Sequence, residues 1–352
     1  MSVFERLYGH EEVVYFNDPA TGLRAIVAIY STTLGPALGG TRFLPYENER
    51  AALEDVLKLA RAMAYKSACA GLDLGGGKAV IIGDPTRDKS EALLRAYGRF
   101  LQTLGGRYYT ACDVGTYVTD MDVVAQECAF VTGRSSSAGG AGDSSVLTAV
   151  GVFEAMRAAA QHVWKEPSLR GRRVGVVGVG KVGSRLAAHL LDDGATVFAA
   201  DVQSDAVERL RVEHPDIHVA TPDELSTMSL DVYAPCALGD ALTQEVVATL
   251  GARIVCGGAN NQLAADGVDK AMADRGIVYV PDFVANAGGV IQVAIEACGY
   301  PEAEAQQRTA AIFETTRSVL AEAANEGLLP AEVAERRAEV RMRGVRSVQQ
   351  ST

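Results

Sequence analysis

The sequence predicts an α/β protein of two domains, and three observations carry that reading. The chain has 352 residues, more than one small hydrophobic core organises. Short apolar runs alternate with segments of helical period through most of its length, the pattern of strands laid beside helices. A glycine-rich turn, Gly178 to Gly183, stands between an apolar run and a helical one, as it does in doubly wound parallel sheets. We therefore expect an N-terminal α/β domain over 1–140, a doubly wound parallel-sheet domain over 141–300, and a C-terminal helical segment over 301–352 that packs back between them.

The elements follow in order. Val13–Phe16 and Leu23–Tyr30 read as strands joined by the turn Asp18-Pro19-Ala20-Thr21-Gly22. From Glu49 to Ala68 the apolar residues Leu53, Val56, Leu57, Ala60 and Ala64 recur at helical spacing. Ala79–Ile82 is a short buried strand preceded by a loop of three glycines, Gly75, Gly76 and Gly77. Ser90 caps a helix over Glu91–Leu104, because its hydroxyl can accept a first-turn N–H. Tyr108–Ala111 is a further strand and Met121–Phe130 a further helix. Gly133 to Ser145, rich in Gly and Ser, reads as a linker. A long helix over Ser145–Trp164 leads to five more strands, Arg173–Val177, Thr196–Ala200, Val232–Ala234, Ile254–Cys256 and Ile277–Val280, separated by helical patterns. The tail from Glu302 to Arg343 is helical, broken near Gly327 and Pro330.

Composition excludes several classes. Charged residues are 22% and hydrophobic ones 48%, a globular balance. The formal charge is −11 and no Lys/Arg run interrupts it, so neither nucleic acid nor an anionic membrane is an expected partner. The six cysteines, Cys69, Cys112, Cys128, Cys236, Cys256 and Cys298, form no C-x-x-C pair and read as reduced thiols of a cytoplasmic protein. No metal site is expected: the five histidines include no H-E-x-x-H, and Pro215 spoils the helical spacing of His214 and His218. No signal peptide and no membrane-spanning run is read.

The first motif is a dinucleotide site. The strand ending at Val177 runs into Gly178-Val179-Gly180-Lys181-Val182-Gly183, a helix follows, and the next strand ends at Asp201, 23 residues after Gly178. Gly178 permits the tight turn, Gly180 lets backbone approach a pyrophosphate, and Gly183 lets the helix pack on the strand. The helix N-terminus offers free N–H groups to phosphate, and the Asp201 carboxylate accepts from ribose hydroxyls. This makes the second domain Rossmann-type. Val202, Gln203 and Ser204 provide no Arg for a 2′-phosphate, which favours NAD.

The second motif is a lysine pair, Lys66 and Lys78. Lys78 sits between the glycines and an apolar strand, so it is partly desolvated and suited to act as a base near neutral pH. Asp113 ends a strand and is a candidate carboxylate partner, or a turn or cap residue.

These residues, together with Leu34-Gly35-Pro36-Ala37-Leu38-Gly39-Gly40-Thr41-Arg42, Cys112-Asp113-Val114-Gly115, Ala259-Asn260-Asn261-Gln262 and Asn286-Ala287-Gly288-Gly289-Val290, closely resemble the glutamate/leucine/phenylalanine/valine dehydrogenase family, nearest its valine or branched-chain members. The resemblance covers nearly the whole chain, with its motifs in family order. It implies reversible, NAD-dependent oxidative deamination of a branched-chain L-amino acid, valine first, to the 2-oxo acid and ammonia by a cytoplasmic homo-oligomer. It makes residues 1–140 the substrate, catalytic and oligomerisation domain. It implies that Lys66 and the Gly40 N–H hold the substrate carboxylate, with Met63 beside them. It makes Lys78 the base that activates water, and Asp113 the group that exchanges a proton with the substrate nitrogen. Leu38, Ala111, Val290 and Val293 would line the side-chain pocket. Asn260 would touch both substrate and nicotinamide, with Thr148 and Asn286 near the carboxamide and Cys236 and Ala237 along the adenosine ribose.

Three other readings compete. A phenylalanine dehydrogenase is the nearest rival within the family. A 2-hydroxy-acid dehydrogenase needs a His base, and no histidine here lies in a glycine-rich or strand-end setting. A non-catalytic NAD-binding regulatory protein would have no use for both Lys66 and Lys78.

Overall fold

The structure is a computed structural model that describes residues 9–349. The chain divides into two compact units. One comprises the residues up to Ser144, Val290–Ala305 and those from Arg337; the other comprises Ser145–Gly289 and Gln306–Arg336. The residues beyond 300 are thus shared between the units and do not stand as a segment of their own. No helix among the described residues is long and apolar enough to cross a membrane.

The first unit is built on a five-stranded mixed sheet in the order β1-β2-β4-β3-β5, with β1 Glu12–Asp18, β2 Leu23–Ser31, β3 Ala37–Leu44, β4 Gly75–Ile82 and β5 Tyr108–Cys112. β1 and β2 form an antiparallel hairpin, β2 pairs antiparallel with β4, and β3 runs parallel to both β4 and β5. Helix α1, Glu49–Cys69, starts at Asn48, whose side chain accepts the Ala51 N–H. Its apolar stripe of Ala52, Val56, Leu57 and Ala60 packs with Ile26, Ala28 and Val80 on one face of the sheet. On the other face Leu93, Leu94, Tyr97 and Leu101 of helix α2, Glu91–Gln102, join Met121 and Val124 of helix α3, Val118–Val124, over Ala79, Ile81 and Phe43.

In this unit Ala37–Leu44, left unassigned in the sequence, is a strand, and Gly75, Gly76 and Gly77, expected as a loop, form the start of β4. Glycine there answers to neighbours. A Cβ on Gly76 would lie 2.0 Å from the Ala64 nitrogen of α1, and one on Gly77 2.8 Å from the Tyr108 ring. Helix α3 also lies earlier than Met121–Phe130, since the Tyr117 N–H bonds the Asp120 carboxylate and fixes its start. The expected linker is fastened down: the Glu296 carboxylate accepts the N–H groups of Gly133, Arg134 and Ala141, and the Gln292 amide donates to the Ala141 carbonyl.

The second unit holds a six-stranded sheet, parallel throughout, in the order β11-β10-β9-β6-β7-β8. These strands are β6 Arg173–Val177, β7 Thr196–Ala200, β8 His218–Val219, β9 Val232–Pro235, β10 Ile254–Val255 and β11 Val278–Tyr279. Short, exposed β8 escaped the sequence reading. The order reverses direction between β6 and β9, and ligands of such sheets bind past the strand ends at that reversal. Helix α4, Ser145–Trp164, is as expected, and helix α5, Lys181–Asp192, opens directly after Gly180.

Candidate functional site

Strand alternation gathers the first group of residues. Successive side chains of a strand point to opposite faces. Thr41 bonds Tyr97 and Thr110 on the α2 side, at 2.6 Å each, which turns Leu38, Gly40 and Arg42 toward α1. Lys78 has the parity of Val80, which packs with α1, and Ala111 and Asp113 alternate with Thr110. Leu38, Gly40, Lys78, Ala111 and Asp113 therefore share one sheet face, beneath the helix that carries Met63 and Lys66 one turn apart. The β3–β4 pairing is interrupted opposite Gly39 and Gly40 and resumes in register at Thr41↔Ala79. Gly40 lies against Asp113: a Cβ there would come within 2.8 Å of the Asp113 Cβ.

Charge is concentrated on this face. The Lys78 ammonium, in a side chain only 8% exposed, pairs with Asp113 Oδ2. Arg42 Nε donates to the same oxygen at 3.1 Å, and the Val114 N–H donates to Oδ1 at 2.8 Å. Thr116 fixes the turn, its hydroxyl accepting the Asp113 N–H and donating to the Thr41 carbonyl. Burial by itself would raise the Asp113 carboxyl. The Lys78 and Arg42 charges and these hydrogen bonds outweigh it and hold the group well below the usual carboxylate range. Asp113 is thus an ion-pair partner of Lys78 and not a helix cap. Arg42 is the participant that sequence reasoning left without a role, although it closes the Gly39-Gly40-Thr41-Arg42 stretch.

The apolar candidates of this unit are enclosed. Leu38 is fully buried, Ala111 and Val290 are 6% exposed, and Val293 is half-buried. Val290 and Val293 stand one turn apart on helix Gly288–Cys298.

The second group lies at the reversal of the parallel sheet. Gly178 has φ +93°, a left-handed conformation that favours glycine, and a Cβ on it would meet the Ala237 backbone nitrogen at 2.6 Å. Gly183 packs against the Gly178 carbonyl, which a Cβ would approach to 1.9 Å, and near Cys236. Gly180 differs: nothing lies within 4 Å of its Cβ direction. Val179, Lys181 and Val182 complete the turn into α5, and Ser184 closes on the Gly180 carbonyl. Asp201 Oδ2 accepts the Val179 N–H at 2.8 Å and Oδ1 the Gln203 N–H at 2.9 Å, leaving each oxygen able to accept again.

On the other side of the reversal the Asn286 amide nitrogen donates to Asn260 Oδ1 at 2.9 Å and to the Gly258 and Ala259 carbonyls. Asn286 Oδ1 is buried and has no hydrogen-bond partner among the described residues. Gly288, two residues on, packs against the Thr148 nitrogen, which brings Thr148 to the same end of the sheet. A dinucleotide fits this donor set. An open glycine at a helix N-terminus suits a pyrophosphate, a carboxylate with spare lone pairs suits a ribose, and an orphaned buried acceptor suits a carboxamide N–H.

Comparison with known proteins agrees. Residues 10–130 match the family model described as Glu/Leu/Phe/Val dehydrogenase, dimerisation domain, and residues 139–207 and 200–326 match that described as Glutamate/Leucine/Phenylalanine/Valine dehydrogenase. The chain is 58% identical over 340 residues to a valine dehydrogenase of Streptomyces virginiae, covering 96% of this chain and 95% of that one. It is 46% identical over 349 residues to a leucine dehydrogenase of Bacillus cereus, covering 99% and 95%. Among solved structures, the L-tryptophan dehydrogenase from Nostoc punctiforme superposes with TM-score 0.85 at 38% identity, covering 98% of this chain and 100% of that one. With both family models matched across most of its length and its sheets, lysine pair and glycine turn in place, the chain belongs to the glutamate/leucine/phenylalanine/valine dehydrogenase family.

Proposed function

We propose that the protein catalyses the reversible NAD-dependent oxidative deamination of branched-chain L-amino acids, valine foremost and leucine and isoleucine also, to the 2-oxo acid and ammonia. The observation that carries the reading is the Lys78–Asp113 pair on a sheet face shared with the apolar Leu38 and Ala111. Identity to valine and leucine dehydrogenases supports the same substrate class.

In this mechanism Lys66 and the Gly40 N–H hold the α-carboxylate, with Met63 beside them, and a fixed cation there orients the Cα–H bond. Asp113, ionised at rest, receives a proton from the substrate ammonium. Bound NAD supplies the hydride acceptor, and oxidation leaves the substrate as an imino acid. Lys78 then takes a proton from the water that attacks the imino carbon, and its ammonium stabilises the oxygen on which negative charge develops. Asp113 returns its proton to the nitrogen, the C–N bond breaks to release ammonia, and the vacated Asp113 carboxylate accepts the hydroxyl proton as the carbonyl of the 2-oxo acid forms. The apolar residues exclude water and favour aliphatic side chains by about 0.8 kcal/mol per buried CH₂.

Gly178–Gly183 would bind the pyrophosphate and Asp201 the adenosine ribose, with Cys236 and Ala237 alongside. Asn260, Asn286 and Thr148 would orient the carboxamide. Asp201 favours NAD because its carboxylate accepts from a 2′-OH and repels a 2′-phosphate. The description of the matched N-terminal model as a dimerisation domain supports a homo-oligomer, and six cysteines that form no disulfide among the described residues suit a reducing cytoplasm.

The test is a panel of L-amino acids assayed for NADH and NADPH formation. Highest kcat/KM with valine, leucine or isoleucine, and with NAD, supports the reading. Phenylalanine above all three would move the protein to the aromatic rival, and equal use of both cofactors would remove the role given to Asp201.

A further inference from the structure

The row of polar groups on the catalytic face continues past the proposed reacting pair. Arg42 of β3 sits between two carboxylates: its Nε bonds Asp113 Oδ2 at 3.1 Å, and its Nη1 bonds Asp55 of α1 at 3.2 Å. The Tyr46 hydroxyl donates to Asp55 Oδ2 at 2.6 Å. Burial, reinforced by Asp55, raises the Tyr46 phenol well above its ordinary value, so it stays a donor. The row reads Tyr46, Asp55, Arg42, Asp113, Lys78, each donor next to an acceptor, with two cations and two carboxylates in balance.

Balance at rest is a different matter from balance during turnover. Lys78 must be neutral before it can take a proton from water. While Lys78 is neutral and before the substrate's proton has moved, the Asp113 carboxylate has lost one of the two cations that share its Oδ2. Arg42 cannot lose its own, since a guanidinium keeps its proton across the working range. Its side chain is 17% exposed and is held at both ends, so its position does not depend on Lys78.

We propose that Arg42, anchored by Asp55 and Tyr46, is a positioning residue for the reaction: the permanent cation that keeps the Asp113 carboxylate in place when Lys78 gives up its charge. The inference rests on the proposed function and deepens it. The groups facing Asp113 are Lys78 from β4, Arg42 from β3 and the Val114 amide, with Tyr46 and Tyr108 also within electrostatic reach and Asp55 behind Arg42.

The sign of the expected effect follows from charge. Lys78 and Asp113 are ion-paired, and Arg42 bonds the same Asp113 oxygen. Deleting a fixed cation beside them makes the pair's protons harder to remove, so the acid limb of the kcat/KM profile must move to higher pH. For Arg42→Gln we expect kcat at neutral pH to fall by roughly 10- to 100-fold, part of the loss to be regained as pH rises, and KM for NAD to be unchanged. Arg42→Lys keeps the charge but cannot bridge both carboxylates. Its acid limb should stay near that of the unmodified enzyme, with kcat reduced about tenfold.

The experiment is the pH profile of the unmodified enzyme, Arg42→Gln and Arg42→Lys with L-valine and saturating NAD. A uniform loss of kcat with no movement of the acid limb in Arg42→Gln would mean a structural role and overturn the inference. If Arg42→Gln does not accumulate as folded protein, Arg42→Lys decides: unimpaired kcat overturns it, and a reduced kcat on an unmoved acid limb supports it. Failure of the unmodified enzyme to oxidise any branched-chain amino acid would instead overturn the proposed function, independently of either variant.

Discussion

The lysine-bearing face of the first unit and the sheet-end corner of the second use their polar groups in opposite ways. On the first, Lys78, Asp113, Arg42, Asp55 and Tyr46 are already bonded to one another. At the corner Gly180 faces open space, Asp201 has lone pairs to spare and Asn286 Oδ1 has no hydrogen-bond partner among the described residues. The difference teaches where specificity arises. The charges proposed to do chemistry are preassembled, since a loose ion pair in a partly buried place would lose its energy to reorganisation. The groups proposed to receive a cofactor keep bonding capacity unused, so that binding can satisfy it.

The largest expected effect follows from the paired charges of the lysine-bearing face. Its cations Lys78 and Arg42 are matched by Asp113 and Asp55, and the residues offered to the substrate side chain are apolar. A second substrate carboxylate would be buried without a partner, at a cost of several kcal/mol. Glutamate should therefore show kcat/KM roughly 10³-fold or more below valine, as steady-state assays can measure. Comparable rates would break the contrast.

Two glycines sharpen it from the other side. A Cβ on Gly183 would stand 1.9 Å from the Gly178 carbonyl, so Gly183→Ala should destabilise the protein by about 1–3 kcal/mol in a denaturant titration. Gly180→Ala meets nothing within 4 Å and should leave the unfolding midpoint in place. It should still weaken NAD binding about tenfold, because the methyl occupies the space that backbone and pyrophosphate share. Equal loss of stability in both variants would show that Gly180 serves folding alone.

The smallest expected effect is at Asp201. Asp201→Ser removes the charge that opposes a 2′-phosphate and should narrow the NAD preference over NADP by about tenfold in kcat/KM. An unchanged ratio would place cofactor choice elsewhere.

The two regions also differ in how far sequence reveals them. The strand–glycine–helix corner was legible because its cues are local. A strand, three glycines at fixed offsets, a helix and an acid at the next strand end all fall within Arg173–Asp201. The lysine face was legible in part. Lys78 and Asp113 stood out, but Arg42 finds Asp55 across 13 residues and Asp113 across 71, which no local pattern encodes. The start of β4 read as a loop, and strand β3 went unassigned, because their glycines answer to tertiary neighbours, Ala64 and Tyr108 among them. The Gly-Ser stretch after Gly133 read as a linker because Glu296, which binds it, lies more than 150 residues away.

The division between a face that reacts and a corner that binds is tested most directly by Lys78→Ala. NAD affinity, measured by titration, and turnover of L-valine should be determined on the same folded preparation. The account predicts NAD binding within about twofold of the unmodified enzyme and kcat lower by at least ~10²-fold. Near-normal turnover, or loss of NAD binding in step with turnover, would contradict it.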